Sequence, residues 1–137
     1  MTLKLQLVQD GEVVFEIPLS LTDWPKEQLE NELEALEDNF QGFSRIFAAL
    51  SHGTSLRMMK RLMEEEDCTI NFTDFMRDLN LNPKIVWENA KKLREEGLLE
   101  RVDRGIYRCS DFGQRRFILV SFAFRHLIEA LEEMEDY

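Results

Sequence analysis

Between positions 84 and 108 the chain carries Lys84, Lys91, Lys92, Arg94, Arg101, Arg104 and Arg108. One such side chain alone is an ordinary solvated charge. Gathered, ammonium and guanidinium groups can neutralise a row of phosphates and donate to the edges of bases. Trp87 and Glu88 interrupt the cluster with an aromatic surface and a carboxylate. Other chemistry is poorly served. No nucleophile with a partnering base, no glycine-rich phosphate loop and no HExxH string occurs, so enzyme activity is not expected. The carboxylates fall in solvated runs such as Glu64-Glu65-Glu66-Asp67. Cys68 and Cys109 are far apart along the chain, fit neither zinc nor redox spacing, and read as inert thiols in a reducing cytoplasm.

The elements that would position the cluster are marked by local signals. Asn82-Pro83 starts a helix, an Asn cap followed by the residue whose fixed φ suits the first helical position. Ile85, Val86, Ala90 and Leu93 give it an inner face, and Gly97 ends it. Leu98 to Val102 and Ile106 to Cys109 read as strands joined by Asp103-Arg104-Gly105. Upstream, Cys68 to Asn71 suggests a short strand. Asn71 then caps a helix to Leu79, with Phe72, Phe75, Met76 and Leu79 inward and Asp74 in its first turn. Thr54 to Glu66 forms another helix, with Leu56, Met59, Leu62 and Met63 on its apolar side.

Long apolar seams flank this middle. Thr22 or Asp23 caps, and Pro25 helps to start, a helix in which Leu29, Leu33, Leu36, Phe40, Phe43, Phe47 and Leu50 recur at steps of four and three, as in helices that pack along a partner. Gly42 permits a break, and Ser51-His52-Gly53 closes the segment. From Asp111 to Met134, Phe117, Val120, Phe124, Leu127, Leu131 and Met134 repeat the spacing, and Ile118 and Phe122 widen the stripe. Before all of these, Leu3, Leu5 and Leu7, then Val13, Phe15 and Ile17, alternate on either side of Asp10-Gly11. That pattern predicts a β-hairpin that must pack on something larger.

The net charge is −10 over 137 residues, which disfavours indiscriminate phosphate binding. Residues 1–43 hold two Lys against ten acidic side chains, 44–110 twelve basic against eleven acidic, and 111–137 three basic against six acidic. The acidity lies in the flanks. No apolar run approaches the roughly 18 residues of a membrane span, and the N-terminus has no secretory pattern. A cytoplasmic protein is the expectation.

The order of elements is that of a winged helix-turn-helix, and three strings resemble the ArsR-type regulators: Leu50-Ser51-His52-Gly53-Thr54-Ser55-Leu56-Arg57, Leu93-Arg94-Glu95-Glu96-Gly97-Leu98-Leu99, and Arg104-Gly105-Ile106-Tyr107. The resemblance covers about residues 44–135. It implies a mainly α protein with small β elements that binds double-stranded DNA, while the two flanking seams suggest a two-fold dimer, with packing of those two helices on each other within one chain as the alternative. The helix 82–96 enters the major groove with Asn82, Lys84, Trp87, Glu88, Lys91 and Lys92 outward. The wing 101–108 reaches backbone or minor groove through Arg101, Arg104 and Arg108. Trp87 and Glu88 depart from the small polar or basic residues usual there. Where the family places a metal-binding cysteine pair, Asn71 to Phe75 hold none. His126 with Glu129 is too few ligands for one chain, so neither metal nor cofactor is expected.

The resulting division is a hairpin over 1–21, an N-terminal dimerisation helix over 22–43 that can continue to 51, the winged helix over 44–110, and a C-terminal dimerisation helix over 111–137. Leu29, Leu33, Leu36, Phe40, Phe117, Val120, Phe124, Leu127 and Leu131 form the homodimer interface. The alternative is a winged-helix protein-interaction module in a transcription or chromatin assembly, binding a protein partner through Trp87. Phe112, Phe117, Phe122 and Phe124 are core rather than the lining of a small-molecule pocket.

Overall fold

The computed structural model describes residues 3–135; positions 1, 2, 136 and 137, which the expected division includes, lie outside the described residues. The chain divides into two compact units, 1–42 and 43–137.

In the first unit, β1 (Lys4–Gln9) pairs antiparallel with β2 (Glu12–Pro18). The turn works as its residues predict, with Asp10 at φ 51° and Gly11 at φ 81°, both in the left-handed region that a two-residue hairpin requires. Leu5 faces Ile17 and Leu7 faces Phe15, but the register then slips and Val8 opposes Val13. The simple alternation therefore fails at Val13, because a bulge re-aims the residues beyond it. Thr22 and Asp23 do not cap the following helix. They lie in a 3-10 turn (Leu21–Asp23), and α1 (Lys26–Leu50) opens with the Leu29 N–H donating to the Pro25 carbonyl at 3.0 Å. The helix continues through Gly42 without a break. Among the described residues of this unit none is buried.

The second unit holds the core. α2 (Gly53–Met63) buries Ser55, Met58, Met59 and Leu62. That stripe leaves Leu56 46% exposed, a correction to its expected inward place: it falls about 100° from Ser55 around the helix. α2 also ends at Met63, short of Glu66. β3 (Thr69–Asn71) leads into α3 (Phe72–Leu79), and the Asn71 side chain accepts from the Asp74 N–H at 2.8 Å. The turn to α4 (Pro83–Glu95) passes through Asn80 at φ 53°, with Leu81 N–H donating to Met76 O at 3.0 Å. β4 (Glu100–Asp103) and β5 (Ile106–Arg108) form the wing in a three-stranded sheet of order β3-β5-β4. Leu98 and Leu99 are buried ahead of β4 rather than within it. This order of elements is a winged helix-turn-helix. Phe75, Val86, Leu93, Leu98 and Tyr107 close its core around α2.

The last helix is not uniform. α5 (Asp111–Ile118) and α6 (Phe124–Glu135) are joined by a π-helical stretch, Leu119–Ala123. The Ser121 hydroxyl donates to the Phe117 carbonyl one turn back, a side-chain bond to the helix backbone of the kind that accompanies local bends. Phe117 is a core residue, 3% exposed, and edge-on to Phe122 at 5.7 Å. It therefore belongs to the chain's own interior and not to an interface. Phe112, Phe122 and Phe124 are about half exposed rather than core.

Candidate nucleic-acid interface

Three features fix α4. Pro83 occupies the start, Asn82 Oδ1 accepts from the Ile85 N–H at 2.9 Å, and Gly97 ends the segment at φ 70°. The Ser55 hydroxyl, fully buried, donates to Asn89 Oδ1 at 2.8 Å, and Asn89 Nδ2 donates to the Ile85 carbonyl at 2.8 Å. This polar link pins the back of α4 to α2, where an unpaired group would cost about 1–3 kcal/mol. Its opposite face is thereby held outward.

Lys84, Trp87, Glu88, Lys91 and Lys92 are all exposed on that face. Lys84 Nζ lies 4.0 Å from Glu88 Oε1, with the lysine side chain 83% exposed. Lys91 Nζ stands 5.4 Å from the centre of the Trp87 ring. Glu88 thus has a cation within ion-pair range one turn back, and Trp87 carries a cation over its face. Asn82 is at the right end of the helix, but its carbonyl oxygen is committed to the cap. An open groove of about 310 Å³ is lined by Trp87, Glu88, Lys91, Lys92 and Glu95. A larger one, about 530 Å³, lies between α4 and the wing, lined by Lys91, Arg94, Glu95, Leu99, Glu100 and Arg101.

The wing arginines do not act alike. Arg108 opposes Glu100 in the ladder, and its Nε donates to Glu100 Oε1 at 3.0 Å. Arg101 opposes the buried Tyr107, so it belongs to the other face of the sheet, and its Nε donates to the Asp103 carbonyl at 3.3 Å. Arg104 stands in the turn, its N–H held by Asp103 Oδ1 at 2.7 Å, ahead of Gly105 at φ 68°. Sequence spacing could not separate these roles, because the register slips between Arg101 and Asp103. Two further cations join them: Arg94, already in the basic cluster of the sequence, and Arg45, which sequence spacing missed. Arg94 shares the larger groove with Arg101. Arg45, ion-paired to Glu96 at 3.5 Å, lines a pocket of about 250 Å³ with His52 and Lys92. Helical spacing from Lys91 points to Arg94, whereas nothing local links Arg45 to Lys92.

His52 occupies the N-terminal boundary of α2 without a capping bond from its side chain. The two cysteines, remote in sequence, are brought together across β3 and β5: the Cys109 N–H donates to the Cys68 carbonyl at 3.0 Å. Burial, first, and then the charges of Cys68 and Glu100 push the Cys109 thiol up to about 11. Among the described residues no group of three or more His, Cys, Asp and Glu side chains gathers as a metal site would need, and no helix is long and apolar enough to cross a membrane.

No protein-family description matches the chain, and no curated protein matches it. Among solved structures, a MarR family transcriptional regulator from Streptomyces coelicolor is similar over 82% of this chain and 83% of that one, with 14% identity and a TM-score of 0.48. That neighbour comes from a different family than the ArsR-type regulators that the short strings resemble.

Proposed function

We propose that this protein is a dimeric DNA-binding transcription regulator acting in the cytoplasm. α4 enters the major groove, and the wing contacts the backbone or minor groove. The observation that carries this is the exposed face of α4, held outward by the Ser55–Asn89 link and bearing Lys84, Lys91 and Lys92, with Arg94 and Arg101 lining the groove between α4 and the wing. Lys84 and Lys91 are two helical turns apart, about 10 Å along the axis, close to the roughly 12 Å width of the major groove. Trp87 and Glu88 meet base edges, Glu88 as an acceptor for a cytosine amino group. Asn82 contributes as a cap that sets the helix entry. Arg101 and Arg108 contribute after exchanging their intrachain partners for phosphates. The branch closest in its short strings is the ArsR type, without that family's cysteine pair.

The dimer is supported by what the first unit lacks. Leu3, Leu7, Val8, Val13, Val14, Phe15, Leu19, Leu21, Leu33, Leu36 and Phe40 are each 40–72% exposed. A two-stranded hairpin with no buried residue is marginal in water. Covering these side chains is worth on the order of 10 kcal/mol. Leu29, Leu33, Leu36 and Phe40 of α1, with Val120, Phe124, Leu127 and Leu131 of the last helix, meet a second copy. Phe117 is withdrawn from that set.

A second reading draws on one specific observation. Trp87 is 55% exposed on the outermost face of α4, as an aromatic anchor for a protein partner would be. Binding to genomic fragments across a salt series separates the two. A specific complex that weakens steeply with salt supports DNA reading, whereas no complex even at low salt overturns it and leaves the protein-interaction module.

A further inference from the structure

We propose that Cys68 and Cys109 form a reversible intrachain disulfide at the base of the wing, making the β3–β5 pairing a site of peroxide modification. The ladder pairs Thr69 with Arg108, Ile70 with Tyr107 and Asn71 with Ile106. One step outward in the same register, Cys68 stands opposite Cys109, and the Cys109 N–H donates to the Cys68 carbonyl at 3.0 Å. A regular hydrogen-bonded antiparallel pair holds its Cα atoms about 5.5 Å apart, inside the roughly 4.4–6.8 Å window of a disulfide; Cys68 keeps one of that pair's two backbone bonds, its own N–H turning to Glu65 at φ 53°. Both residues border the same apolar core. Consistent with this, Cys109 is 1% exposed in the core, and Cys68 packs half-buried against the same cluster.

The two thiols differ in a way that assigns their roles. Cys68 is the one solvent can reach. It lies at φ 53°, just outside the regular strand, with its N–H donating to the Glu65 carbonyl at 3.1 Å. Cys109 is enclosed, its Sγ donating to the Leu98 carbonyl at 3.3 Å. Peroxide therefore meets Cys68 first. The Cys68 thiolate attacks one oxygen of hydrogen peroxide, the O–O bond breaks, and the hydroxide released takes up a proton as water, leaving a sulfenic acid. The Cys109 sulfur then attacks Cys68 Sγ. The S–O bond breaks, and the second hydroxide leaves as water with the Cys109 proton. Two thiols lose two electrons and one peroxide gains them. In a reducing compartment, thiol exchange restores the pair, so the bond is transient. While it lasts, β5 is tied covalently to β3, and Cys109 gives up its hydrogen bond to Leu98, just ahead of β4. The proposal is independent of what the winged helix binds.

The test uses the full chain, reduced and freed of reductant, then treated with hydrogen peroxide, alkylated under denaturing conditions and weighed intact. The expected result is a single chain lighter by two hydrogens with no alkylatable thiol, reversed by dithiothreitol. Cys109→Ser should stop at a Cys68 sulfenic acid captured by dimedone. Cys68→Ser, or Cys68→Ala if serine disturbs the turn, should leave Cys109 unmodified. Two alkylatable thiols after peroxide would overturn the proposal. So would a cross-chain disulfide on a non-reducing gel, or oxidation of Cys109 at the wild-type rate when Cys68 is absent.

Discussion

Lys84→Ala with Lys91→Ala gives the most quantitative check on α4. Each lysine that meets a phosphate releases close to one counterion, with a slope of about 0.9 per contact in log affinity against log salt. For two lysines per protomer that contribution is about 3 kcal/mol at about 50 mM salt and falls to a little under 2 kcal/mol at about 200 mM. Against it stand the interactions the lysines give up in the free protein. The exposed Lys84–Glu88 pair, 4.0 Å apart, is worth about 0–1 kcal/mol, and Lys91 over Trp87, at 5.4 Å, about 0.5–1 kcal/mol. Phosphate binding therefore wins clearly at low salt and comes near to balance at the higher. A dimer loses four contacts in the double variant. The wild-type advantage should then shrink by roughly 150-fold between about 50 and 200 mM. Fluorescence anisotropy on a bound fragment, run in parallel with sedimentation to show the dimer unchanged, measures both slopes. Equal slopes in variant and wild type would refute the placement of α4 against phosphates.

Leu33→Asp with Phe40→Asp sets charges on an α1 face whose two side chains are 55% and 56% exposed. Sedimentation velocity should show the dimer dissociating into monomers, and an unchanged dimer would remove this seam from the interface. Gly113→Ala tests the packing under the wing. A Cβ there would lie 2.7 Å from the Leu98 carbonyl oxygen and 3.2 Å from Cys109 Sγ. Backbone cannot yield cheaply, so urea unfolding should show a loss of about 1–3 kcal/mol, whereas a gain of about 1 kcal/mol, the usual helix preference for alanine, would mean that the close approach is relieved.

What the sequence revealed, it revealed through residues whose own backbone preferences decide local structure. Asn82-Pro83, Asn71, Gly97, Gly105 and Asp10-Gly11 each act where their chemistry predicts, because a cap or a positive φ is settled within a few residues. What stayed hidden depends on partners distant in the chain. A periodic stripe announces that a face is apolar but not what covers it, which is why Phe117 reads like Phe124 until α5 folds against the winged helix. Leu56 and Met58 are equally apolar, and only the phase of α2 against its neighbours tells them apart. The neighbourhood of Cys68 and Cys109 is a product of antiparallel register, invisible to any spacing rule applied along the chain. Arg101, Arg104 and Arg108 form a single basic string in sequence, yet a ladder slip and a facing Glu100 give them three environments.

Those environments bear on how an acidic protein can select a DNA site. A chain with net charge −10 gains little from the uniform, sequence-independent attraction of the phosphate backbone that supplies most non-specific binding. Three of its cations moreover stand in intrachain pairs, Lys84 with Glu88, Arg108 with Glu100 and Arg45 with Glu96. On the proposed reading, a duplex must displace carboxylates before it can use those side chains. A random sequence offers only the phosphates in return. A matched sequence offers more: a cytosine amino group for Glu88 and base edges for the freed lysines. On the proposed reading, the carboxylates among the cations lower absolute affinity and raise the ratio of specific to non-specific binding, the quantity on which occupancy of a site among a genome of competitors depends.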